Sequence, residues 1–283
     1  MKNDMAAHRP ATGFAIYSVF VLLVLLFVSP LLIIFTNSFK GKLFISDNLF
    51  AMVNTESFVG LQNYMQGILR MDFMSAFGTS LFVTVASTLL IVLLCSMTAW
   101  YLLRMKSRAA TALYYLFVFA MVVPFQMVMF TMSWVSNQLK LGNPLGILVL
   151  YVGFGAGLSV FMFTGFLKNV PIDIEEAATI DGCNPLQTFF GVVFPILQPA
   201  AITVAILNVM WIWNDYLLPL IVLDTRYVTL PIAIQKIFTG GYGAVDMGGL
   251  MAMLVLSITP IILFYVAAQK HIIEGVVAGA VKG

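Results

Sequence analysis

Six long apolar stretches constrain this chain more than any other feature of its sequence. They cover residues 13–35, 75–103, 109–134, 145–167, 196–223 and 248–268. A helix needs about 20 apolar residues to cross a bilayer, and a segment in lipid must satisfy its own backbone hydrogen bonds. The stretches do not alternate apolar and polar residues, as the strands of a β-barrel would. The pattern therefore predicts an all-α integral membrane protein with six transmembrane helices.

The scarcity of charge supports this prediction and excludes several other classes of protein. Asp, Glu, Lys and Arg make up 9% of the 283 residues, whereas soluble domains carry about 25%. The net charge of +2 gives no indication of nucleic-acid binding. The sequence contains neither a G-x-x-x-x-G-K-[ST] loop nor a cluster of His and Cys residues. We therefore expect no ATP site, cofactor or metal in this chain.

Basic residues predict the orientation of the chain in the membrane. The short connection after the second stretch holds Arg104, Lys106 and Arg108 and no acidic residue, and such loops stay in the cytoplasm. Six spans then place both termini in the cytoplasm. The expected parts are a cytoplasmic N-terminus (1–12), a transmembrane domain (13–271) and a cytoplasmic tail (272–283), with the longest external connections at 37–72 and 224–247.

The only long cytoplasmic connection, residues 168–199, has the signals of a helix-turn-helix. Asp173 is predicted to cap the first helix, with Glu176 at the third position of a capping box. Gly182 suits the left-handed residue that ends a helix. A second helix is predicted to begin after Asn184 as its cap.

The two predicted helices of this hairpin differ in the size of their side chains. Bulky residues are expected to share one face of the second helix, at Leu186, Phe189, Phe190, Val193 and Leu197. This face would anchor the hairpin on the membrane domain and leave the small, acidic first helix to contact a partner. The alternative is a solvated hairpin in which Glu175 and Glu176 only cover the surface, and local pattern does not decide between the two.

The residues EEAATIDG, followed by nine residues and VVFP, resemble the EAA loop of binding-protein-dependent ABC importer permeases. The family pattern is E-A-A, three residues, G, nine residues and I-x-L-P. Val192 and Phe194 replace the usual Ile and Leu, and both remain apolar. In the family this loop docks in a groove of the ATPase subunit. The resemblance therefore implies that coupling to the ATPase involves Glu175, Glu176, Ala177, Ala178, Asp181 and Gly182.

Three further segments resemble the carbohydrate permeases of this family. They are WNDYLLPLIVL at 213–223, VTLPIAI at 228–234 and QKHIIEGVVAGAVKG at the C-terminus, which is similar to the ending of the shorter subunit of such pairs, as in the maltose permease. The resemblance implies a type I importer fold in the cytoplasmic membrane of a bacterium or archaeon. The implied partners are a second permease subunit, two ATPase subunits that bind the ATP, an extracytoplasmic sugar-binding protein and the sugar itself.

A polar face on the fifth stretch is a candidate for sugar contact. It consists of Asn208, Trp211 and Asp215 at i, i+3 and i+7, with Asn214 adjacent. Polar faces of membrane helices usually point to the interior, and aromatic and amide groups suit sugar rings and hydroxyls. The alternative is an interfacial belt near the outer leaflet, made of Trp213, Asp215 and Tyr216.

The external connection at 224–247 is a candidate for contact with the binding protein. Its glycine-rich tip holds Thr239, Gly240, Gly241 and Tyr242. Glycines allow an adaptable loop, and the tip offers one aromatic side chain. The alternative is an ordinary connector between two spans.

Other functions fit the sequence less well. A transporter driven by an ion gradient would be expected to show inverted repeats and ionisable groups near mid-bilayer, but Asp215 is the lone candidate. A membrane enzyme is not indicated, since the only histidines, His8 and His271, lie at the ends of apolar stretches. An ABC permease for amino acids or phosphonates is disfavoured by the fifth-stretch and C-terminal resemblances.

Overall fold

The computed structural model describes residues 10–240 and 245–280. Helix accounts for 79% of the residues in these two ranges. In the described ranges no β-strand occurs, and the only β feature is an isolated antiparallel bridge between Lys40 and Phe58. The predicted all-α class is therefore confirmed.

Fourteen α-helices and one short π-helix follow one another in the described residues. The α-helices are α1 (Pro10–Asn37), α2 (Lys42–Asp47), α3 (Gln62–Met71), α4 (Phe73–Arg104), α5 (Arg108–Val122), α6 (Phe125–Gln138), α7 (Gly146–Leu167), α8 (Asp173–Ile180), α9 (Pro185–Thr188), α10 (Phe194–Ile196), α11 (Gln198–Asn214), α12 (Leu217–Val222), α13 (Leu230–Phe238) and α14 (Met247–Ala280). The π-helix, Phe189–Val193, lies between α9 and α10.

Four of the six predicted spans are continuous helices long and apolar enough to cross a bilayer. They are Ile16–Asn37, Phe73–Arg104, Gly146–Leu167 and Met247–Lys270. The two others are bent pairs of helices, so the described residues hold six spans only if each pair counts as one.

The third and fifth stretches are not continuous helices. Helices α5 and α6 meet at 107° across Pro124, because proline lacks an N–H and forces the preceding residue out of the helical region. A second bend of 77° separates Pro185–Ile196 from α11. In addition, α11 ends at Asn214, where Asp215 is extended, so the predicted fifth span is interrupted before α12.

The chain divides into two compact units, and the larger one consists of residues 72–235 and 259–283. Its core lies where α4 packs on α7 and α11, around Ile91, Tyr151 and Phe163, which are fully buried. A Cβ at Gly155 would lie 2.7 Å from Ile91 Cδ1. Close packing of small residues is the usual basis of helix association in membranes, and glycine at position 155 makes this contact possible.

The smaller unit consists of residues 1–71 and 236–258. The side-chain amide of Asn63 in α3 donates to the carbonyls of Ser38 and Lys40, at 2.8 Å each. The Lys40 side chain is fully buried and donates to the carbonyls of Ala51 and Asn48. Burial lowers the pKa of this amine, because the charged form loses water. The predicted external connection 37–72 is therefore an ordered part of the fold.

Candidate functional site

The first helix of the hairpin begins differently from the prediction. Helix α8 starts at Asp173, but the cap position is Ile172 and no side chain caps it. The Ile172 carbonyl accepts from the amides of Glu175 and Glu176, at 2.9 and 3.0 Å. The predicted capping box of Asp173 and Glu176 is therefore wrong. Asp173 instead lies in the first turn, where carboxylates interact favourably with the positive end of the helix dipole.

The turn of the hairpin has the predicted geometry. Gly182 has a φ of +86°, which glycine adopts at no steric cost. The amides of Gly182 and Cys183 donate to the carbonyls of Thr179 and Ala178, at 3.0 Å each. These bonds form a Schellman motif, which satisfies carbonyls at the end of α8.

The second helix begins with the predicted cap. The Asn184 side chain accepts from the Gln187 amide at 2.9 Å, and the Gln187 side chain accepts from the Asn184 amide at 2.8 Å. Pro185 occupies the first helical position. The end of the first helix and the start of the second are therefore both capped by bonds within the turn.

The inner face of the hairpin is built on Glu175, which is 7% exposed. Its carboxylate accepts from Arg104 Nη2 at 2.7 Å and from Trp100 Nε1 at 2.9 Å. Arg104 and Trp100 both lie near the end of α4. The prediction that Glu175 contacts a partner is corrected here, since its carboxylate is enclosed by its own chain. The alternative of a surface acid is also wrong for this residue.

The bulky face of the second helix is only partly as predicted. Phe189, Val193 and Leu197 are buried, whereas Leu186 and Phe190 are 59% and 50% exposed. Residues four apart form rows along a helix, and 189, 193 and 197 form one row. The adjacent row, with Leu186 and Phe190, faces outward. One row therefore anchors the hairpin, and the other enlarges its exposed apolar surface.

The outer face of the hairpin combines acids with apolar side chains. Glu176, Ala177, Asp181 and Gly182 are exposed, whereas Ala178 is buried. The most exposed apolar residue here is Ile180, at 85%. Local sequence does not distinguish Ile180, because the buried pair of α8, Glu175 and Ala178, is evident only from the structure.

The predicted polar face of α11 is brought together by the structure, but it packs on α7. Asn208 is 4% exposed, and its amide donates to Ser159 Oγ at 3.3 Å and to the Val204 carbonyl at 2.8 Å. The Asp215 carboxylate accepts from the Tyr151 hydroxyl at 3.0 Å. Helix α7 supplies both the Ser159 and the Tyr151 partner. Asn208 therefore does not line an open path, which corrects the prediction for this residue.

The remaining two residues of the predicted sugar path are accessible. Trp211 is 40% exposed, and its ring lies edge-on to that of Tyr151 with centroids 5.5 Å apart. Asn214 is exposed, and its amide donates to the Met210 carbonyl at 2.7 Å. These two side chains are the exposed ones of the predicted path, whereas Asp215 is half-buried.

The alternative of an interfacial belt is wrong for Trp213. This residue is 6% exposed, and its ring lies edge-on to that of Phe77 with centroids 5.9 Å apart. Tyr216 is half-buried. Trp213 is therefore a packing residue between α11 and α4.

The candidate contact with a binding protein is described only in part. Thr239 is exposed directly after α13, and Gly240 has a φ of +74°. Gly241 and Tyr242 lie outside the described residues.

Comparison with known families places the chain in one of them. The family described as "binding-protein-dependent transport system inner membrane component" matches residues 91–277. The chain belongs to this family. The matched range contains the hairpin, α11 and the C-terminal part of α4 with Trp100 and Arg104.

Two similar proteins are permeases of sugar transport systems. The chain is 37% identical over 263 residues to a probable starch degradation products transport system permease protein, AmyC, of Thermoanaerobacterium thermosulfurigenes, covering 93% of this chain and 94% of that protein. It is 34% identical over 263 residues to the multiple sugar-binding transport system permease protein MsmG of Streptococcus mutans, covering 91% and 93%.

A solved structure supports the fold. A chain of a bacterial ABC transporter involved in the import of the acidic polysaccharide alginate matches with a TM-score of 0.80 at 20% identity. The match covers 94% of this chain and 98% of that chain. The predicted permease fold is therefore confirmed.

Proposed function

We propose that this chain is the transmembrane permease subunit of an ATP-binding-cassette sugar importer. It forms a pore with a second permease subunit and couples to separate ATPase subunits through residues 168–199. The observation that carries this proposal is the structure of the hairpin. Its inner face is hydrogen-bonded to α4, and its outer face is exposed. The relatives named for starch degradation products and for multiple sugars support sugar as the substrate class.

The outer face of the hairpin has the composition of a docking surface. Ile180 and Leu186 offer apolar area beside the carboxylates of Glu176 and Asp181. Burying an isoleucine side chain contributes about 1.5–3 kcal/mol, and acids at the rim favour a partner with basic groups. A groove on the ATPase, apolar at its centre and basic at its rim, fits this surface.

The remaining partners follow from the same proposal. An extracytoplasmic binding protein delivers the sugar, and two ATPase subunits bind the ATP, so this chain needs no cofactor and performs no hydrolysis. The contact between Arg104 and Glu175 supports the orientation, since it brings the hairpin to the same end of α4 as the basic loop with Lys106 and Arg108. Both termini are then cytoplasmic, and the protein lies in the cytoplasmic membrane of a bacterium or archaeon.

For the sugar path, the exposed residues Trp211 and Asn214 are the proposed contacts on α11. Asn208 and Asp215 hold α11 against α7. They affect the shape of the path and do not contact the sugar. A half-exposed aromatic ring suits the apolar face of a sugar.

The loop that follows α13 is the proposed contact with the binding protein, at Thr239 and Gly240 together with Gly241 and Tyr242. A cysteine at Thr239 is expected to react with a membrane-impermeant thiol reagent in intact cells, and to react more slowly with the binding protein docked. Labelling only after the cells are opened would contradict the proposed orientation.

The proposed function is tested by purifying the assembled complex through a tag on this chain. The expected result is co-purification of a second permease and an ATPase, with ATP hydrolysis that rises when a binding protein and its sugar are added to proteoliposomes. Amino acids and inorganic ions in place of the sugar serve as controls. Stimulation by one of these controls and by no sugar would overturn the substrate class, and a chain that purifies without an ATPase would overturn the coupling role.

A further inference from the structure

The contact between Glu175 and Arg104 differs from the other ion pairs of the molecule. Among the residues that the structure describes there are three such pairs, and this one joins side chains only 22% and 10% exposed. The pair of Arg70 and Asp246 is 56% and 19% exposed, and that of Arg226 and Asp224 is 70% and 56% exposed. Exposed pairs contribute little to stability, whereas a buried pair needs accurate geometry and further hydrogen bonds.

The additional hydrogen bonds that a buried pair requires are present. Glu175 Oε1 accepts from Arg104 Nε and Nη2, at 3.0 and 2.7 Å, and Oε2 accepts from Arg104 Nε at 3.2 Å. Trp100 Nε1 donates to Oε2 at 2.9 Å, and Arg104 Nη2 also donates to the Val170 carbonyl at 3.2 Å. The guanidinium and the indole therefore fix the carboxylate from two directions.

A single turn of α4 contacts both helices of the hairpin. Trp100 and Arg104 are four residues apart, so they lie on one face of α4. Through Glu175 they hold the first helix. The Trp100 ring also packs on the ring of Phe189, with centroids 5.5 Å apart, and Phe189 directly follows α9 at the start of the π-helix. Phe189 is fully buried. The hairpin is thus attached to α4 as one body.

The covalent connections of the hairpin to the core are less suited than its contact with α4 to transmit a displacement of the hairpin. On one side a turn at residues 168–172 follows α7. On the other side the chain passes through the π-helix and then the 77° bend near Leu197. Breaks in the α-helical bonding pattern are where helices bend. Helix α4, in contrast, is continuous for 32 residues, about 48 Å, and packs on α7 and α11.

We infer that Trp100, Arg104 and Glu175 form a strut that transmits displacement of the hairpin to α4 and hence to the α4–α7–α11 core. This inference rests on the proposed function. The three are positioning residues, because they touch neither ATP nor sugar and act through the hairpin. Glu176, the neighbouring acid on the outer face, contributes instead to docking.

The test separates docking from transmission in the assembled complex. Trp100→Phe removes one N–H and keeps an aromatic ring, and Glu175→Gln removes the charge and keeps the shape. The expected result is a complex that assembles normally and hydrolyses ATP, but moves about fivefold less sugar per ATP, the lower end of typical coupling effects. The double variant Arg104→Glu with Glu175→Arg exchanges the two charges. It is expected to move more sugar per ATP than Glu175→Arg alone.

Glu176→Gln is the matched control, since it neutralises the adjacent exposed acid. We expect it to weaken retention of the ATPase subunit and to leave the sugar-to-ATP ratio of the remaining complexes unchanged. An unchanged ratio in both Trp100→Phe and Glu175→Gln would overturn the inference. If Glu175→Gln does not assemble, the ratio in Trp100→Phe decides alone. Failure of the proposed function would be visible separately, as a wild-type complex whose ATP hydrolysis no sugar stimulates.

Discussion

The hairpin and helix α11 are both rich in polar residues, but they use them in opposite ways. The hairpin directs Glu175 inward to Arg104 and leaves Glu176 and Ile180 bare. In α11, Asn208 has its partner on α7, and so does Asp215, which directly follows the helix. A buried polar group needs a hydrogen-bond partner, and in both regions the chain supplies it. Contact with other molecules is therefore assigned to the residues that remain exposed.

This comparison changes how polar residues at the membrane are interpreted. Glu175 and Glu176 are adjacent and chemically alike, yet one is 7% exposed and the other lies on the open surface. Asn208 and Trp211 share one face of α11, and only Trp211 is accessible. Residue type identifies candidates for contact with other molecules. A candidate whose polar groups already have hydrogen-bond partners within the chain supports the fold, and an exposed candidate is available for contact.

The largest expected effect comes from a charge at the centre of the hairpin's outer face. Ile180→Asp places a carboxylate where the proposed docking surface is most apolar, and sugar uptake is expected to fall on the order of 100-fold, as for substitution of an interface hot spot. The level of the protein in the membrane should not change, because Ile180 is 85% exposed and makes little contact with its own chain. Uptake assays and immunodetection of membrane fractions measure the two quantities.

Ile180→Val is the control for this substitution, since it keeps an apolar side chain at the same place. It is expected to transport at close to the wild-type rate. Uptake by Ile180→Asp within twofold of wild type, at normal membrane levels, would show that this face does not dock on the ATPase.

The next largest effect distinguishes the two tryptophans of α11. Trp213→Ala removes a 6%-exposed ring packed on Phe77, and we expect it to lower the free energy of unfolding by about 3 kcal/mol. Trp211→Ala removes a half-exposed ring, so it should affect stability less and uptake or sugar preference more. Thermal unfolding of the purified complex and uptake per assembled complex report the two effects. Equal losses of stability, with normal uptake per complex in both variants, would remove Trp211 from the proposed path.

A smaller effect is expected at the end of α11. Asp215→Ala leaves the Tyr151 hydroxyl without its acceptor and removes a bond to the Leu217 amide. The expected destabilisation is about 1–3 kcal/mol, the usual cost of a buried donor without a partner. Uptake per assembled complex should stay within twofold of wild type, because the residue supports α11 and does not contact sugar. A large loss of uptake in complexes of normal stability would return Asp215 to the proposed path.

Tyr151→Phe is the matched variant for this contact, since it removes the hydroxyl and keeps the ring beside Trp211. Tyr151→Phe is expected to lower the free energy of unfolding of the protein by less than Asp215→Ala does. The two substitutions combined should cost less than the sum of the separate effects, because they remove the same hydrogen bond.

Local signals in the sequence predicted the turn of the hairpin and the start of its second helix, although not the start of its first. Gly182 and Asn184 determine their own backbone geometry, and both have the predicted conformation. The apolar stretches likewise predicted where helices occur. These features depend on residues a few positions apart, which is why a sequence alone can specify them.

Features that depend on distant residues could not be predicted. Arg104 and Glu175 are 71 positions apart, and nothing beside Glu175 distinguishes it from Glu176. At the break after α11, Asp215 accepts from Tyr151, 64 positions away. Proline at position 124 explains a break between α5 and α6, but proline chemistry alone does not specify the angle of 107° between them.

Cross-linking from two adjacent alanines tests the central claim most directly. Ala177 is exposed on the outer face of the hairpin and Ala178 is buried. With Cys183→Ser as background and Cys95 buried in the core, single cysteines at 177 and 178 are treated with a bifunctional thiol reagent in the assembled complex. The account predicts a cross-link to the ATPase subunit from position 177 and little or none from 178. An intact complex with no cross-link from 177, or with equal yields from both positions, would contradict it.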